Sequence, residues 1–491
     1  MFPDTIATTE KLYGVRPPAI VGDYFPIIAD FKNDATAQEK QAKRDLFERV
    51  FQTTHMNRNF TYARRGGSAP VRLDVFQPLQ NHIDDVLRYN TLAAEVRDVQ
   101  KIINHPVFKG AIKDTLGEQI YNQFPSWLSD FANPRKMLAH NIVDKAFQSL
   151  RHNVTMAALS YNTVVSILQG GSYTLTTKEI GEKWAAVGML DLFHKGSFDF
   201  VDSRSVYMAN RTSSFGNDRD MRDFLRAKQI KHLMKGGRTT EETMFLGITF
   251  IDMLTTKATW LGAYKKSMSE HGNELKAIDY ADDIVELTQP QGSTEHLAAV
   301  MRQGQVLKAF TMFTSFFSVM HNQLISTMNE LKYSKSHPIR SYANFVRSMM
   351  YVWVLPSIMA TFVRSLGGAD KERYLKDLAS YPFLGLLIAR DIVGAAAGGF
   401  SNLSTPVLSG LEELFLKTSR CKDPQKKVKH GVKGVALLSG RIPTKLIEAL
   451  DGGYDYFTGE TTDLRRFFIS EWGIGGGETK DKRSQSNIIK F

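Results

Sequence analysis

The stretch VFQPLQNHIDDVLRYNTLAAEVRDVQKII, residues 75–103, decides the fold. Its apolar residues recur mainly at intervals of three and four, which places them along one face of an α-helix. They are Val75, Leu79, Ile83, Val86, Leu87, Tyr89, Leu92, Val96, Val99 and Ile103. Later segments repeat this spacing, and strand signals are sparse along the chain. We therefore predict an all-α protein, a multi-domain assembly of long amphipathic helices joined by short breaks.

The first 70 residues have a different composition. They hold the pair Gly66 and Gly67 and several prolines, namely Pro3, Pro17, Pro18, Pro26 and Pro70. Such residues indicate an extended arm around one charged helix, QEKQAKRDLFERVFQ (38–52). We predict four segments: the arm at 1–70, an N-terminal helical domain at 71–235, a central helical domain at 236–335, and a basic, membrane-proximal helical region at 336–491.

Residues 280–283 read YADD, the signature with which reverse transcriptases hold catalytic metal. Two adjacent carboxylates act in that way only when a strand, a turn and a second strand present them. The flanking apolar residues recur at threes and fours instead, which favours a helix that ends within 288–292. We expect Asp282 and Asp283 on its solvated side together with Glu286, so the resemblance to a polymerase is a coincidence.

The composition indicates a globular protein and excludes several kinds of site. With 491 residues and 43% hydrophobic content, the chain can fill roughly two to four domain cores. Its one cysteine, Cys421, rules out an internal disulfide and a cysteine-based zinc site. No catalytic motif, phosphate-binding loop or metal-ligand spacing is present. We predict no enzyme activity, no cofactor and no metal, and the N-terminus lacks the features of a secretory signal.

The basic charge is concentrated near the C-terminus. The net charge is +11, and residues 330–491 carry 24 Lys and Arg against 16 Asp and Glu. Within this region, residues 417–433 contain only Asp423 as an acid, beside Lys417, Arg420, Lys422, Lys426, Lys427, Lys429 and Lys433. Such a run attracts phosphate, either on DNA or on anionic lipid headgroups. The alternative is a solvated loop.

Two apolar stretches precede the basic run. SMMYVWVLPSIMATFV (348–363) lies between two arginines, and IVGAAAGGFSNLSTPVLSGL (392–411) has small residues spaced for close helix packing in lipid. The predicted membrane contacts are Tyr351, Trp353, Pro356, Phe362, Gly394 and Gly398. A mean hydropathy of −0.25 favours a soluble starting state with conditional insertion. Both stretches are also compatible with core helices of a large α-domain.

Several segments resemble the helical C-terminal region of large polyvalent proteins from tailed phages and related mobile elements. They are ATWLGAYKKSM (258–268), AIDYADDIVELTQ and the residues after it (277–324), SWLSDFANP (126–134), SRSVYMANR (203–211) and SGRIPTKLIEALDGGYDYFTGE (439–460). The family pattern has a tyrosine, an alanine and an aspartate, followed by an apolar pair and then TQ or SQ. Asp282 matches that pattern, whereas Asp283 does not belong to it.

The resemblance implies an internal virion protein that is packaged in the capsid and ejected with the genome. Its partners would be further copies of itself, other ejection or portal and tail proteins, phage DNA, and lipids of the host inner membrane. We expect it first inside the virion and then in the periplasm and inner membrane, as part of an oligomeric DNA-translocation conduit. Two alternatives remain: a DNA-binding protein that organises the packaged genome, and an unrecognised hydrolase.

Overall fold

The computed structural model describes residues 2–14, 76–132, 142–213, 244–292, 296–302, 305–333, 338–381, 410, 412–422, 424–440, 442–459 and 461–467. These residues are predominantly helical and contain no strand, which confirms the prediction of an all-α protein. Contacts divide the chain into two compact units, Met1–Leu138 and Ala139–Phe491.

The described residues of the first unit form five helices. They are α1 (Phe2–Tyr13), α2 (Phe76–Asn104), α3 (Pro106–Leu116), α4 (Glu118–Tyr121) and α5 (Gln123–Ala132). The long helix α2 confirms the helix predicted at 75–103, and it supplies Val86, Tyr89 and Val96 to the core. Leu87 and Val99 of the same predicted face are exposed, so the apolar stripe is wider than the surface that α2 buries.

Residues Phe2–Tyr13 form helix α1, so the prediction of an extended arm is wrong for these residues. Pro3 lies in the first turn, where a helix has no partner for the backbone N–H that proline lacks. Thr9 Oγ1 lies 3.1 Å from the buried hydroxyl of Tyr89, so α1 packs against α2. The rest of the predicted arm, including the charged helix at 38–52, lies outside the described residues.

The second unit begins with helices that surround one central pair. They are α6 (Ile142–Leu159), α7 (Thr163–Gln169), α8 (Tyr173–Ile180), α9 (Glu182–Asp191), α10 (Ser197–Arg204), α11 (Val206–Ser213), α12 (Leu246–His271) and α13 (Glu274–Thr288). The central pair is α12 and α13, and Trp260, Ala277 and Val285 are among its fully buried residues. Helix α13 includes the YADD residues and ends at Thr288, as the sequence predicts.

Glycines allow α9 and α12 to approach closely. A methyl group at Gly262 would lie 2.5 Å from the carbonyl oxygen of Trp184, and one at Gly188 would lie 2.7 Å from the backbone nitrogen of Gly262. Neither position has room for a Cβ atom, because the atoms in the way belong to a neighbouring backbone. The small residues of ATWLGA therefore fix the distance between the two helices.

The remaining helices follow α13 in the chain. They are α14 (Ala299–Arg302), α15 (Gln305–Phe310), α16 (Ser315–Tyr333), α17 (Pro338–Met349), α18 (Leu355–Ser365), α19 (Lys371–Ser380), α20 (Thr418–Arg420), α21 (Pro424–Ser439) and α22 (Thr444–Phe457). A second core joins Leu175 of α8 to Met320, Val352, Ala360 and Tyr381. Helices from both sides of the boundaries predicted at 235 and 335 share these cores.

A π turn, Met350–Val354, connects α17 to α18 without a break in the helix. The backbone N–H of Leu355 donates to the carbonyl of Met350, which is five residues back. Pro356 explains this local widening, since proline has no N–H to donate and its ring would clash with the carbonyl four residues earlier.

Candidate functional site

Asp282 is half-buried in the second unit and accepts two hydrogen bonds. Its Oδ1 accepts from the indole Nε1 of Trp260 and from the hydroxyl of Ser205, each at 2.7 Å. The Ser205 hydroxyl in turn accepts from the backbone N–H of Met208, at 3.0 Å. Burial raises the pKa of the Asp282 carboxyl, and the two hydrogen bonds oppose that rise. The expectation that Asp282 lies on the solvated side is therefore wrong.

The neighbouring acids behave as the sequence predicts. Asp283 and Glu286 are exposed, and Glu286 lies 3.4 Å from His296. Because 274–288 is a helix, residues 280–283 lack the strand geometry that a polymerase needs. Among the described residues, no group of three or more His, Cys, Asp or Glu could hold a metal ion.

Thr288 and Gln289, the TQ pair at the end of α13, belong to a buried polar cluster. The Gln289 side chain is fully buried, accepts from the hydroxyl of Ser172 at 2.6 Å and donates to Thr176 at 3.1 Å. Thr176 lies 2.8 Å from the hydroxyl of Thr259 and 3.2 Å from that of Thr288. These contacts join α8, α12 and the end of α13 through satisfied polar groups, so the cluster fixes how the helices pack. Sequence reasoning missed it.

Four of the six predicted membrane contacts are among the described residues. Three of these four side chains form hydrogen bonds or are buried within the protein. The Tyr351 hydroxyl donates to Glu182 at 2.9 Å, and the Trp353 indole donates to the carbonyl of Leu378 at 2.7 Å. Pro356 is buried, whereas Phe362 is 55% exposed. Gly394 and Gly398 lie outside the described residues. Among the four that are described, Phe362 is the residue that presents most of its apolar surface to solvent.

Apolar side chains line the outer surface of the helix that contains these residues. Six exposed ones follow one line along it: Ile339, Tyr342, Val346, Met350, Ile358 and Phe362. By length and composition, the segment Ile339–Ser365 could cross a membrane, and 33% of its most apolar window is buried. We call this line of side chains the outer stripe.

Glu182 of α9 connects the helix Ile339–Ser365 to the rest of the second unit through two hydrogen bonds. Its carboxylate accepts from Arg347 at 2.8 Å and from Tyr351 at 2.9 Å. The Arg347 hydrogen bond is the main cause that lowers the pKa of Glu182 to about 2. A depressed carboxyl pKa stabilises the folded state above its ordinary value near 4.5, and this contribution is lost as the pH falls toward 2.

We expect the Glu182→Gln variant to loosen the helix at neutral pH, because the amide cannot form the charged pair with Arg347. Amide hydrogen exchange should accelerate over residues 345–353. Glu274→Gln is the matched control, since Glu274 is an exposed carboxylate that pairs with Arg204 at 3.0 Å on other helices. In the wild type, acidification from pH 7 to 5 should leave exchange in 345–353 unchanged relative to exchange in the helix that contains Glu274, Glu274–Thr288. A release over that range would contradict the depressed pKa.

The described part of the basic run 417–433 is helical except at Cys421 and Lys422, and several of its cations form ion pairs. Lys417 pairs with Glu413 at 2.8 Å, Lys433 pairs with Glu448 at 3.0 Å, and Lys429 pairs with Asp451. Arg420, Lys422 and Lys427 are exposed, and the Lys426 side chain lies outside the description. The run therefore contributes both internal ion pairs and a smaller set of outward charges, and it is not a solvated loop.

These features define an all-α protein with an apolar helix surface and exposed cations. The sequence matches no family model and no curated protein, and the structure matches no solved structure.

Proposed function

We propose that this protein is an internal virion protein of a tailed bacteriophage. It leaves the capsid with the genome and assembles with other copies in the host envelope, as part of a conduit that carries DNA across. The observation that carries the proposal is the outer stripe, an exposed apolar line on a helix long enough to span a bilayer. The sequence resemblance to polyvalent phage proteins supplies the biological setting.

The all-α architecture is compatible with passage through a narrow channel followed by refolding. Helices make mostly local contacts, and proteins rich in local contacts refold quickly after passage through a narrow channel. One cysteine also avoids disulfide trapping in an oxidising periplasm. In this proposal the partners are further copies, other ejection or portal and tail proteins, phage DNA, and inner-membrane lipids.

The conduit proposal is favoured over a protein that organises the packaged genome. Genome organisation needs many cations free to contact phosphates. Three of the seven cations in the basic run pair with acids of the same chain, so these three are not free to contact DNA phosphates.

Liposomes of anionic lipid test the proposal directly. We expect the purified protein to release a trapped dye and to protect residues 338–365 from protease. The Phe362→Asp variant should lose most of the leakage, because a central acid costs about 2.5–3.5 kcal/mol on insertion scales. Phe250→Asp is the matched control, since Phe250 of α12 is 53% exposed and Phe362 is 55% exposed.

Full cleavage of 338–365 without leakage would overturn the membrane part of the proposal. Binding to duplex DNA in the same preparation would then favour the genome-organising alternative. In virions that carry this chain, an antibody should find it inside the capsid before infection and in the host membrane fraction afterwards. Its absence from the capsid would overturn the virion part.

A further inference from the structure

Helix α22 has the reverse of the polarity expected for a surface helix. Its exposed side carries Leu446, Leu450, Tyr454 and Phe457, whose exposure ranges from 51% at Leu446 to 84% at Phe457. The carboxylates of the helix, at Glu448, Asp451 and Asp455, point toward the protein and form ion pairs there. A helix in water normally hides its apolar side and exposes its charges.

Helix α21 shares this arrangement. Val428, Val432 and Val435 are exposed, at 66%, 45% and 54%. Lys429 and Lys433 reach across to Asp451 and Glu448 of α22. The later lysine pairs with the earlier acid, so the two helices run antiparallel along a seam of ion pairs.

The two apolar lines lie on the same side of this seam. Each residue advances an α-helix by about 100° around its axis. On both helices, a rotation of more than a quarter turn in the chain direction leads from the apolar line to the side that forms the ion pairs. Antiparallel helices turn in opposite senses when viewed from one end, so both lines come to one side. Together they form an apolar surface, which we call the α21–α22 surface.

Arg466 anchors α22 from the side opposite its apolar line. It lies in the 3₁₀ turn Leu464–Phe467, is 4% exposed, and pairs with Asp455 and, at 3.2 Å, with Asp451. A methyl group at Gly452 would collide with the backbone of Arg466, so the turn packs directly on the helix. These contacts hold the apolar line outward in the folded protein.

The charges around the α21–α22 surface are complementary to an anionic partner. Each acid with a described side chain between 413 and 463 is engaged by a cation of the same chain: Glu413, Glu448, Asp451, Asp455 and Asp463. Arg420, Lys422 and Lys427 are exposed on the same segment. The region therefore presents apolar side chains and positive charge to its surroundings.

We propose that the α21–α22 surface binds the headgroup region of an anionic lipid bilayer. The 14 residues of α22 are about 21 Å long and too short to span a membrane, so the helix lies flat in the interface. A second copy docked through the same surface would bring like charges together, whereas anionic lipid neutralises them. This inference rests on the proposed function and gives it a docking step that is separate from insertion of the outer stripe.

Vesicle flotation with the full chain tests this surface. The double variant Leu450→Gln with Phe457→Gln should bind vesicles of phosphatidylglycerol and phosphatidylcholine at least about tenfold more weakly than the wild type. Its thermal midpoint should be unchanged, because both side chains are largely exposed. Leu275→Gln is the control, since Leu275 of α13 is 74% exposed and Leu450 is 67% exposed. Wild-type binding should weaken in high salt and with phosphatidylcholine alone.

The outcomes separate this surface from the outer stripe. If the double variant binds as tightly as the wild type while Phe362→Asp loses leakage, the α21–α22 inference is overturned and the proposed function stands. An equal loss in Leu275→Gln would also overturn it, because the effect would not be specific to this surface. If the wild type binds neither kind of vesicle, both membrane proposals fall.

Discussion

The Gly262→Ala variant is expected to unfold at a much lower denaturant concentration than the wild type. The added methyl group would lie 2.5 Å from the Trp184 carbonyl oxygen and 2.8 Å from Ile180 Cδ1. The carbonyl belongs to the backbone of helix α9 and cannot turn aside, so α9 and α12 must move apart. Overpacking typically costs about 1–3 kcal/mol, and we expect the upper end of that range because a backbone atom is in the way. Urea unfolding followed by circular dichroism measures the loss.

A glycine in an open position serves as the control. Gly431 lies within helix α21, and the nearest atom to a methyl group there is Thr418 Oγ1, at 3.9 Å. Gly431→Ala should leave stability unchanged or raise it by roughly 0.5–1 kcal/mol, because alanine favours helix more than glycine does. Equal midpoints for the two variants would show that α9 and α12 do not meet as closely as described.

The second large effect is expected at Asp282. Asp282→Ala leaves the buried indole N–H of Trp260 and the hydroxyl of Ser205 without their shared acceptor. We expect a loss of about 2–4 kcal/mol, since a buried donor without a partner carries its full desolvation cost. Asp282→Asn keeps an acceptor oxygen and should cost less. Urea unfolding of the three proteins gives the order directly.

Asp283 is the adjacent control, because its side chain is exposed and it belongs to the same helix turn. Asp283→Ala should stay within about 0.5 kcal/mol of the wild type. Should both alanine variants lose the same stability, the contacts of Asp282 would not explain its role. A preserved midpoint in Asp282→Ala would have the same meaning.

The course of α13 could be predicted from the sequence, but the surroundings of Asp282 could not. Apolar spacing fixes the angle of a residue on its own helix, and it placed residues 277–288 correctly in a helix. It carries no information about what lies opposite. Ser205 and Trp260 precede Asp282 by 77 and 22 residues, and tertiary packing brings them together.

For the candidate membrane surfaces as well, the sequence predicted the segments but not their partners. Composition predicted an apolar stretch at 348–363 and a basic run at 417–433, but not the partners at Glu182, Glu448 and Asp451. The apolar line of α22 had a visible signal, because its members recur at intervals of four, four and three. Spacing alone would predict that this apolar line is buried. Spacing shows which residues share a face of a helix, but not whether that face points to the core or to solvent.

The π turn at 350–354 keeps the outer stripe in phase. In an uninterrupted α-helix, Ile358 and Phe362 would lie roughly a quarter to a third of a turn from the line through Val346 and Met350, since each residue adds about 100°. A π turn accommodates about one extra residue, which cancels most of that drift. One continuous strip of apolar surface results where a regular helix would have two offset halves. Deleting a single residue within 350–354 would change no chemistry in the stripe, yet it would split the surface into two separate faces.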